Sequence, residues 1–240
     1  MLKSRVVFLL LAIFGASCAP NVADAPPKPL PAPVLIHLPG IAGEMPIDRR
    51  LVKGLVKGGV APKGQITDWT REYRGLLALG QLDHNKIEAR KLAEQITTIY
   101  RDDPRTKIIL TGHSAGTGIA VWTLELLPDD VKIDTLLMLA SALSPGYDLS
   151  PALAHTRQAI SLYSEHDDLV LGYGTRAMGT IDRVKTDAAG YVGFESKDPK
   201  LKQLPYDPKW IKIGNAGDHI GPMDDQFAAQ VLAGLVKSVR

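Results

Sequence analysis

The sequence has little cysteine and a small net charge, and its histidines and its cysteine are not spaced as metal ligands usually are. One cysteine among 240 residues excludes a framework of internal disulfides. The net charge is only +2, and the lysines and arginines form no basic block, so no nucleic-acid partner is expected. No ligand spacing predicts a dedicated metal site. The remaining composition, 45% hydrophobic and 22% charged, is that of an ordinary globular protein.

The N-terminal segment, residues 1–18, has the pattern of an export signal. Lys3 and Arg5 precede a short apolar run at 6–14, which is shorter than the roughly 20 residues that span a bilayer. The small residues that end at Cys18 resemble a bacterial lipobox, which predicts lipidation of Cys18 and attachment to a membrane. The alternatives are a plain signal peptide cut near Ala19 and an uncleaved anchor. The prediction is an exported protein, either a cell-envelope lipoprotein or a periplasmic or secreted one.

Residues 19–33 are rich in proline and alanine, and a tract of this kind favours extended polyproline geometry rather than a packed core. We interpret it as a linker. No internal repeat and no second linker follows, so a single domain is expected over 34–240.

Within that domain, short apolar runs alternate with amphipathic segments. This alternation predicts an α/β fold, a mostly parallel sheet with helices on both faces and without a large cap domain. The predicted strands are 34–38, 65–69, 107–111, 134–140, 159–163 and 210–213, and the predicted helices are 47–60, 84–101, 116–127 and 222–239. Residues 182–194 break the alternation, and Gly190 there suggests a hairpin or an excursion before the last strand.

The stretch TGHSAG, at 111–116, places Ser114 between two glycines immediately after a predicted buried strand. A sharp strand–turn–helix would expose the Ser114 hydroxyl above the sheet, and Gly112 and Gly116 would leave room for so tight a turn. The free N–H groups of the following helix would point at the same place. We therefore interpret Ser114 as a nucleophile; the structural alternative is a serine that caps a helix.

A serine nucleophile needs a base, and on this architecture a histidine is expected late in the chain. His219 lies in a loop of small residues after the last predicted strand, where it would reach the same sheet edge as Ser114. His155 lies in a connection rich in proline and serine, and His166 lies among acids. His219 is therefore the preferred base.

The acid that orients the base should follow the predicted strand 159–163. Asp167 is the preferred residue, because Asp168 begins an apolar run and could cap a helix there. Asp168 and Asp148 remain alternatives. The acid would hold the tautomer of the His219 ring and stabilise its charged form.

An oxyanion needs two backbone donors in such a site. The N–H of Ala115, directly after Ser114, is one. The other is expected from the loop 37–43 after the first strand, where Ile41 is the preferred donor.

Taken together, these residues resemble the α/β-hydrolase family over 34–240. The pentapeptide at 112–116 is similar to the nucleophile elbow of that family, and 34–43 is similar to its first core strand and oxyanion loop. The resemblance implies catalytic residues at the carboxyl edge of the sheet, no metal or organic cofactor, and acyl transfer from carboxylic esters, whether small-molecule or lipid esters, to water. Residues 172–205 are expected either to wall the substrate pocket or to pack on the sheet. The alternative function is an exported lipoprotein that uses this scaffold to bind a ligand or partner without turnover.

Overall fold

A computed structural model describes residues 28–238. The predicted leader, including Cys18, lies outside the described residues, so export and lipidation stay predictions. None of the helices in 28–238 has the length and apolar character that a membrane crossing requires.

Six strands form one sheet in the described part of the chain. All neighbouring strands run parallel, in the order β2-β1-β3-β4-β5-β6. Their bounds are Val34–Leu38 (β1), Gly64–Ile66 (β2), Ile108–His113 (β3), Ile133–Leu139 (β4), Thr156–Tyr163 (β5) and Leu201–Pro205 (β6). The predicted α/β class with a parallel sheet is confirmed.

Helices cover both faces of the sheet. They are Pro46–Lys57 (α1), Leu76–Gly80 (α2), Leu82–Asp102 (α3), Gly116–Glu125 (α4), Ser150–Ala154 (α5), Thr175–Met178 (α6), Ala189–Val192 (α7), Asp225–Phe227 (α8) and Ala233–Lys237 (α9). A π-helical segment, Asp168–Gly174, precedes α6, and a second, Ala228–Leu232, joins α8 to α9.

The alternation of side chains along the central strands creates two apolar cores. Ile36 and Leu110 point into a core shared with α3 and α4, whereas Leu35 and Ile109 point into a core shared with α1 and the C-terminal helices. All six residues of β3 are buried. A strand covered on both faces reads as a continuous apolar run, which is why β1 and β3 could be located from the sequence.

Two predicted strands differ in the structure. Residues 210–213 belong to a 3₁₀ helix, Pro208–Ile213, which starts at a proline and is capped by the Asp207 side chain. The last strand is instead β6, a polar edge strand that ends in Pro205 and shows no apolar run. The strand predicted at 65–69 ends at Ile66.

Of the two alternatives for 182–194, the hairpin is wrong, because turns and α7 occupy this segment, which is instead an excursion before β6. Gly190 packs its backbone against the loop after β4, where its N–H donates to the Ser141 carbonyl at 2.8 Å. A Cβ on Gly190 would lie 2.3 Å from the Ser141 nitrogen. The absence of a side chain at Gly190 therefore allows two chain segments to pack closely, and it is not used for a turn between two strands.

Candidate active site

The candidate nucleophile lies directly after β3, at the carboxyl edge of the sheet. Ser114 has φ 53°, a left-handed conformation that costs a residue with a side chain about 1–2 kcal/mol. Its N–H donates to the Leu139 carbonyl at 3.0 Å, and its carbonyl accepts the Thr117 hydroxyl at 2.7 Å. These bonds hold a strained turn in which Ser114 is 7% exposed.

Both glycines of the pentapeptide are needed for close packing. A Cβ on Gly116 would lie 2.4 Å from the carbonyl oxygens of both Leu38 and Pro39, the backbone that leaves β1. A Cβ on Gly112 would lie 2.7 Å from the Gly116 carbonyl oxygen. The turn at Ser114 is therefore pressed against the loop after β1, which explains the spacing of the two glycines.

The preferred acid and base are joined by a short hydrogen bond. His219 Nδ1 and Asp167 Oδ2 are 2.6 Å apart, although the residues are separated by 52 positions in the chain. Asp167 is 4% exposed, and burial raises the pKa of its carboxyl, while the hydrogen bond from His219 opposes this shift. The carboxylate therefore fixes one ring nitrogen of His219 and leaves Nε2 available on the other side.

The loop that carries His219 is held by short polar contacts. The buried Asn215 side chain accepts the Gly217 N–H at 2.9 Å, and the Asp218 carboxylate accepts the Gly221 N–H at 2.7 Å. These contacts account for the small and polar residues around His219 in the sequence.

The alternative residues lie elsewhere. His155 precedes β5, at the opposite edge of the sheet, and its Nδ1 contacts the Val131 carbonyl at 2.9 Å. His166 is exposed beside the Tyr206 ring. Asp168 is exposed at the start of the π-helical segment, and the exposed Asp148 accepts the Ser150 N–H at 2.9 Å. Of these four residues, none has a hydrogen bond to His219 in the part of the chain that the structure describes.

His113 contributes a contact to which the sequence reasoning assigned no role. Its Nε2–H donates to the backbone carbonyl of His219 at 2.9 Å, and the two rings lie 4.8 Å apart. Burial, followed by the neighbouring His219, lowers the pKa of His113 to about 3, so its ring stays neutral. The residue before the nucleophile therefore holds the backbone of the candidate base. Only its position in the motif could have drawn attention to it.

The loop after β1 lies directly beside the nucleophile. A Cβ on Gly40 would lie 3.3 Å from Ser114 Cβ. The Gly43 N–H closes a turn on the Gly40 carbonyl at 3.1 Å, with Gly43 at φ 74°. Within residues 28–238 the N–H groups of Ile41 and Ala115 donate to no protein acceptor. Both predicted oxyanion donors are thus unpaired there, as that role requires.

Two buried side chains that are not among the predicted catalytic or oxyanion residues anchor this loop. Trp69 Nε1–H donates to the Pro39 carbonyl at 2.7 Å. His37, at the end of β1, contacts Thr111 Oγ1 at 2.7 Å and Asp48 Oδ1 at 2.9 Å. Their partners lie 11 to 74 positions away in the sequence, so no short motif identifies them.

Replacing Trp69 with phenylalanine should lower kcat by roughly 10-fold with little change in KM, because the Pro39 carbonyl loses its buried donor and the adjacent loop loosens. Steady-state kinetics on a simple ester measures this effect. Trp122→Phe is the matched control: Trp122 is also buried, but its Nε1–H donates to the Tyr147 hydroxyl and not to the loop after β1. Equal losses of kcat in both variants would contradict an anchoring role for Trp69.

Two cavities open beside Ser114. One, of about 280 Å³, is lined by Gly40, Met45, His113, Ser114, His219 and Ile220, among others. The second, of about 130 Å³, is lined by Leu79, Ser114, Ala142, Leu171, Met178 and Ile181, among others. Part of the segment 172–205 thus walls the site, whereas Tyr191 and Phe194 pack into the core.

Ser114 and His219 line the same cavity but are not yet hydrogen-bonded. In residues 28–238 no bond joins Ser114 Oγ to the His219 ring. Such contacts are often long before substrate binds. The described residues also contain no group of three or more histidines, cysteines, aspartates or glutamates placed to hold a metal ion.

A parallel sheet flanked by helices, with a strained serine turn after β3 and an acid–histidine pair at the same edge, defines the α/β-hydrolase fold. Solved structures share it at low sequence identity. TT1662 from Thermus thermophilus is 14% identical, with 87% of this chain and 89% of that chain covered and a TM-score of 0.53.

A structure described as m3DLH is 14% identical, with 89% of each chain covered and a TM-score of 0.52. A dienelactone hydrolase-like promiscuous phosphotriesterase from metagenomic libraries is 14% identical, with 88% of each chain covered and a TM-score of 0.49. Neither the protein-family models nor the curated protein sequences give a match to this chain.

Proposed function

We propose that this protein is a serine hydrolase that cleaves carboxylic esters by acyl transfer to water. The observation that carries the proposal is the 2.6 Å contact between His219 and Asp167, in a site where His219 and the strained Ser114 line one cavity. Binding alone would require neither an oriented imidazole nor a strained serine.

In the proposed reaction, His219 Nε2 takes the proton of Ser114 Oγ as that oxygen attacks the ester carbonyl. The Oγ–Nε2 hydrogen bond forms in the substrate complex. The negative charge on the carbonyl oxygen is held by the N–H groups of Ala115 and Ile41. Protonated His219 then gives its proton to the leaving alcohol, and an acyl group remains on Ser114.

Water completes the cycle by the same route in reverse. His219 takes a proton from water as the water oxygen attacks the acyl carbonyl, and it returns that proton to Ser114 Oγ as the acid leaves. Throughout, Asp167 stays ionised and stabilises the positive charge that appears on His219. Neutral His113 holds the His219 backbone during both steps.

A fluorophosphonate probe tests the proposal directly, because it forms a covalent bond only with an activated serine. We expect mass spectrometry to find one adduct, on Ser114. Ser114→Ala should abolish labelling and His219→Ala should slow it at least 100-fold. His166→Ala, which removes an exposed histidine near the site, should label at the wild-type rate.

A folded protein that remains unlabelled would exclude this mechanism and favour a binding protein built on the same scaffold. Labelling at a serine other than Ser114 would also contradict it. Circular dichroism of each variant separates a chemical effect from a loss of structure.

A further inference from the structure

The two cavities beside Ser114 share only a narrow boundary. Ile41, Ser114 and Val170 line both of them. A carbonyl carbon attacked by Ser114 Oγ would therefore lie at their junction, with one substituent directed into each cavity.

The position of His219 indicates which cavity takes the alcohol part of the ester and which takes the acyl part. It lines the 280 Å³ cavity and is not among the residues that line the 130 Å³ cavity. In ester cleavage the protonated base must reach the leaving alcohol oxygen, so the alcohol has to depart on the side of His219. Resting on the proposed hydrolase function, we propose that the 130 Å³ cavity is the acyl subsite and that it selects short, apolar, uncharged acyl groups.

The lining of this cavity supports an apolar occupant. No charged residue contributes to it, and its side chains are mainly aliphatic: Leu79, Ala142, Leu171, Met178 and Ile181. Its one hydroxyl besides Ser114, that of Thr175, is already used in a bond to the Leu171 carbonyl at 2.5 Å. A carboxylate on the acyl group would find no cation there, so its desolvation would be uncompensated.

The volume of the cavity limits the length of the acyl chain. A closed apolar cavity of about 150 Å³ accommodates benzene, a six-carbon ring. The 130 Å³ acyl cavity is therefore suited to chains of about four to six carbons. Each methylene buried up to that length should raise kcat/KM roughly 4-fold. Longer chains would project into solvent and gain nothing further.

Two series of esters test the assignment. In the first, p-nitrophenyl esters run from acetate to dodecanoate, and hemisuccinate provides a charged acyl group. We expect kcat/KM to rise to butanoate or hexanoate and then level off or fall, and to be at least 100-fold lower for hemisuccinate than for butanoate. In the second series, butanoate esters of methanol through hexanol are followed by titration of released acid.

Met178→Ala and Ile220→Ala form a matched pair of variants. Met178 lines only the acyl cavity and Ile220 only the other, and both are about half exposed, at 54% and 50%, so neither change threatens the core. Met178→Ala should lower kcat/KM for hexanoate 3- to 10-fold relative to acetate and leave the dependence of kcat/KM on alcohol length unchanged. Ile220→Ala should alter the dependence of kcat/KM on alcohol length and leave its dependence on acyl length unchanged.

A reversed response, in which Ile220→Ala changes the dependence of kcat/KM on acyl length, would overturn the assignment. So would a steady fall of kcat/KM from acetate onward, or efficient cleavage of hemisuccinate. Fluorophosphonate labelling of Ser114 in the same samples separates the two proposals: a labelled enzyme with the wrong acyl preference contradicts only the subsite assignment, whereas an unlabelled one contradicts the hydrolase function itself.

Discussion

Asp167→Asn should lower kcat for ester hydrolysis by about 10⁴-fold, whereas Asp168→Asn should leave it within about 3-fold of the wild type. The amide of the first variant can donate to His219 Nδ1, which favours the tautomer whose Nε2 carries a proton and cannot take the one on Ser114. Asp168 is exposed, and the contact of His219 is with Asp167 instead. Single-turnover kinetics with a p-nitrophenyl ester measures both effects.

Thermal unfolding of the same two variants tests whether the loss of kcat is a chemical effect or a loss of structure. Burial raises the pKa of Asp167 in the folded protein above its unfolded value, so ionisation of this group opposes folding. This loss of folding stability is fully present at a pH above the pKa of Asp167 in the folded protein. It disappears as the pH falls below the pKa of the same group in the unfolded chain. Asp167→Asn should therefore match or exceed the wild-type Tm at pH 8, and the difference should close at acid pH. A 10⁴-fold loss in Asp168→Asn would show that the acid is misassigned.

The parts of the site that the sequence predicted are those that follow from topology. Buried strands can be recognised in the sequence as apolar runs, and the carboxyl ends of parallel strands lie at one edge of the sheet. A residue just after β3 and another just after β5 must then lie at the same edge with β4 between the two strands, which is how Ser114 and Asp167 could be assigned to one edge. His219 could be placed because small residues surround it near the end of the chain.

Other parts depend on contacts that leave no local pattern. β6 is an edge strand with a polar sequence, so it lacks the apolar run by which the inner strands are recognised. Trp210 lies in a tetrapeptide with three apolar residues, but its ring packs on Phe227 at 5.0 Å from within a 3₁₀ turn rather than from a strand. The supports of the site, Trp69 and His113, act through backbone carbonyls of residues distant in the sequence. Any residue supplies a carbonyl, so such partners cannot be identified from residue type.

Gly116→Ala should lower kcat by about 10²–10³-fold and the free energy of unfolding by about 1–3 kcal/mol. The new Cβ would lie 2.4 Å from the carbonyl oxygens of Leu38 and Pro39, both of which are backbone atoms, so the loop after β1 has to move away from Ser114. That loop carries Ile41, so the same displacement withdraws one proposed oxyanion donor. Kinetics and urea unfolding measure the two losses separately.

Gly80→Ala is the matched control for this variant. Gly80 ends α2, and its Cβ would have no heavy atom within 4 Å, so the substitution should leave kcat unchanged and stability equal or slightly higher. If Gly116→Ala lost stability but kept full activity, the loop after β1 would not contribute to catalysis. If stability and kcat fall together, one contact serves two purposes. The close packing of Gly116 against the backbone after β1, which leaves no room for a side chain, also holds the proposed oxyanion donors beside Ser114.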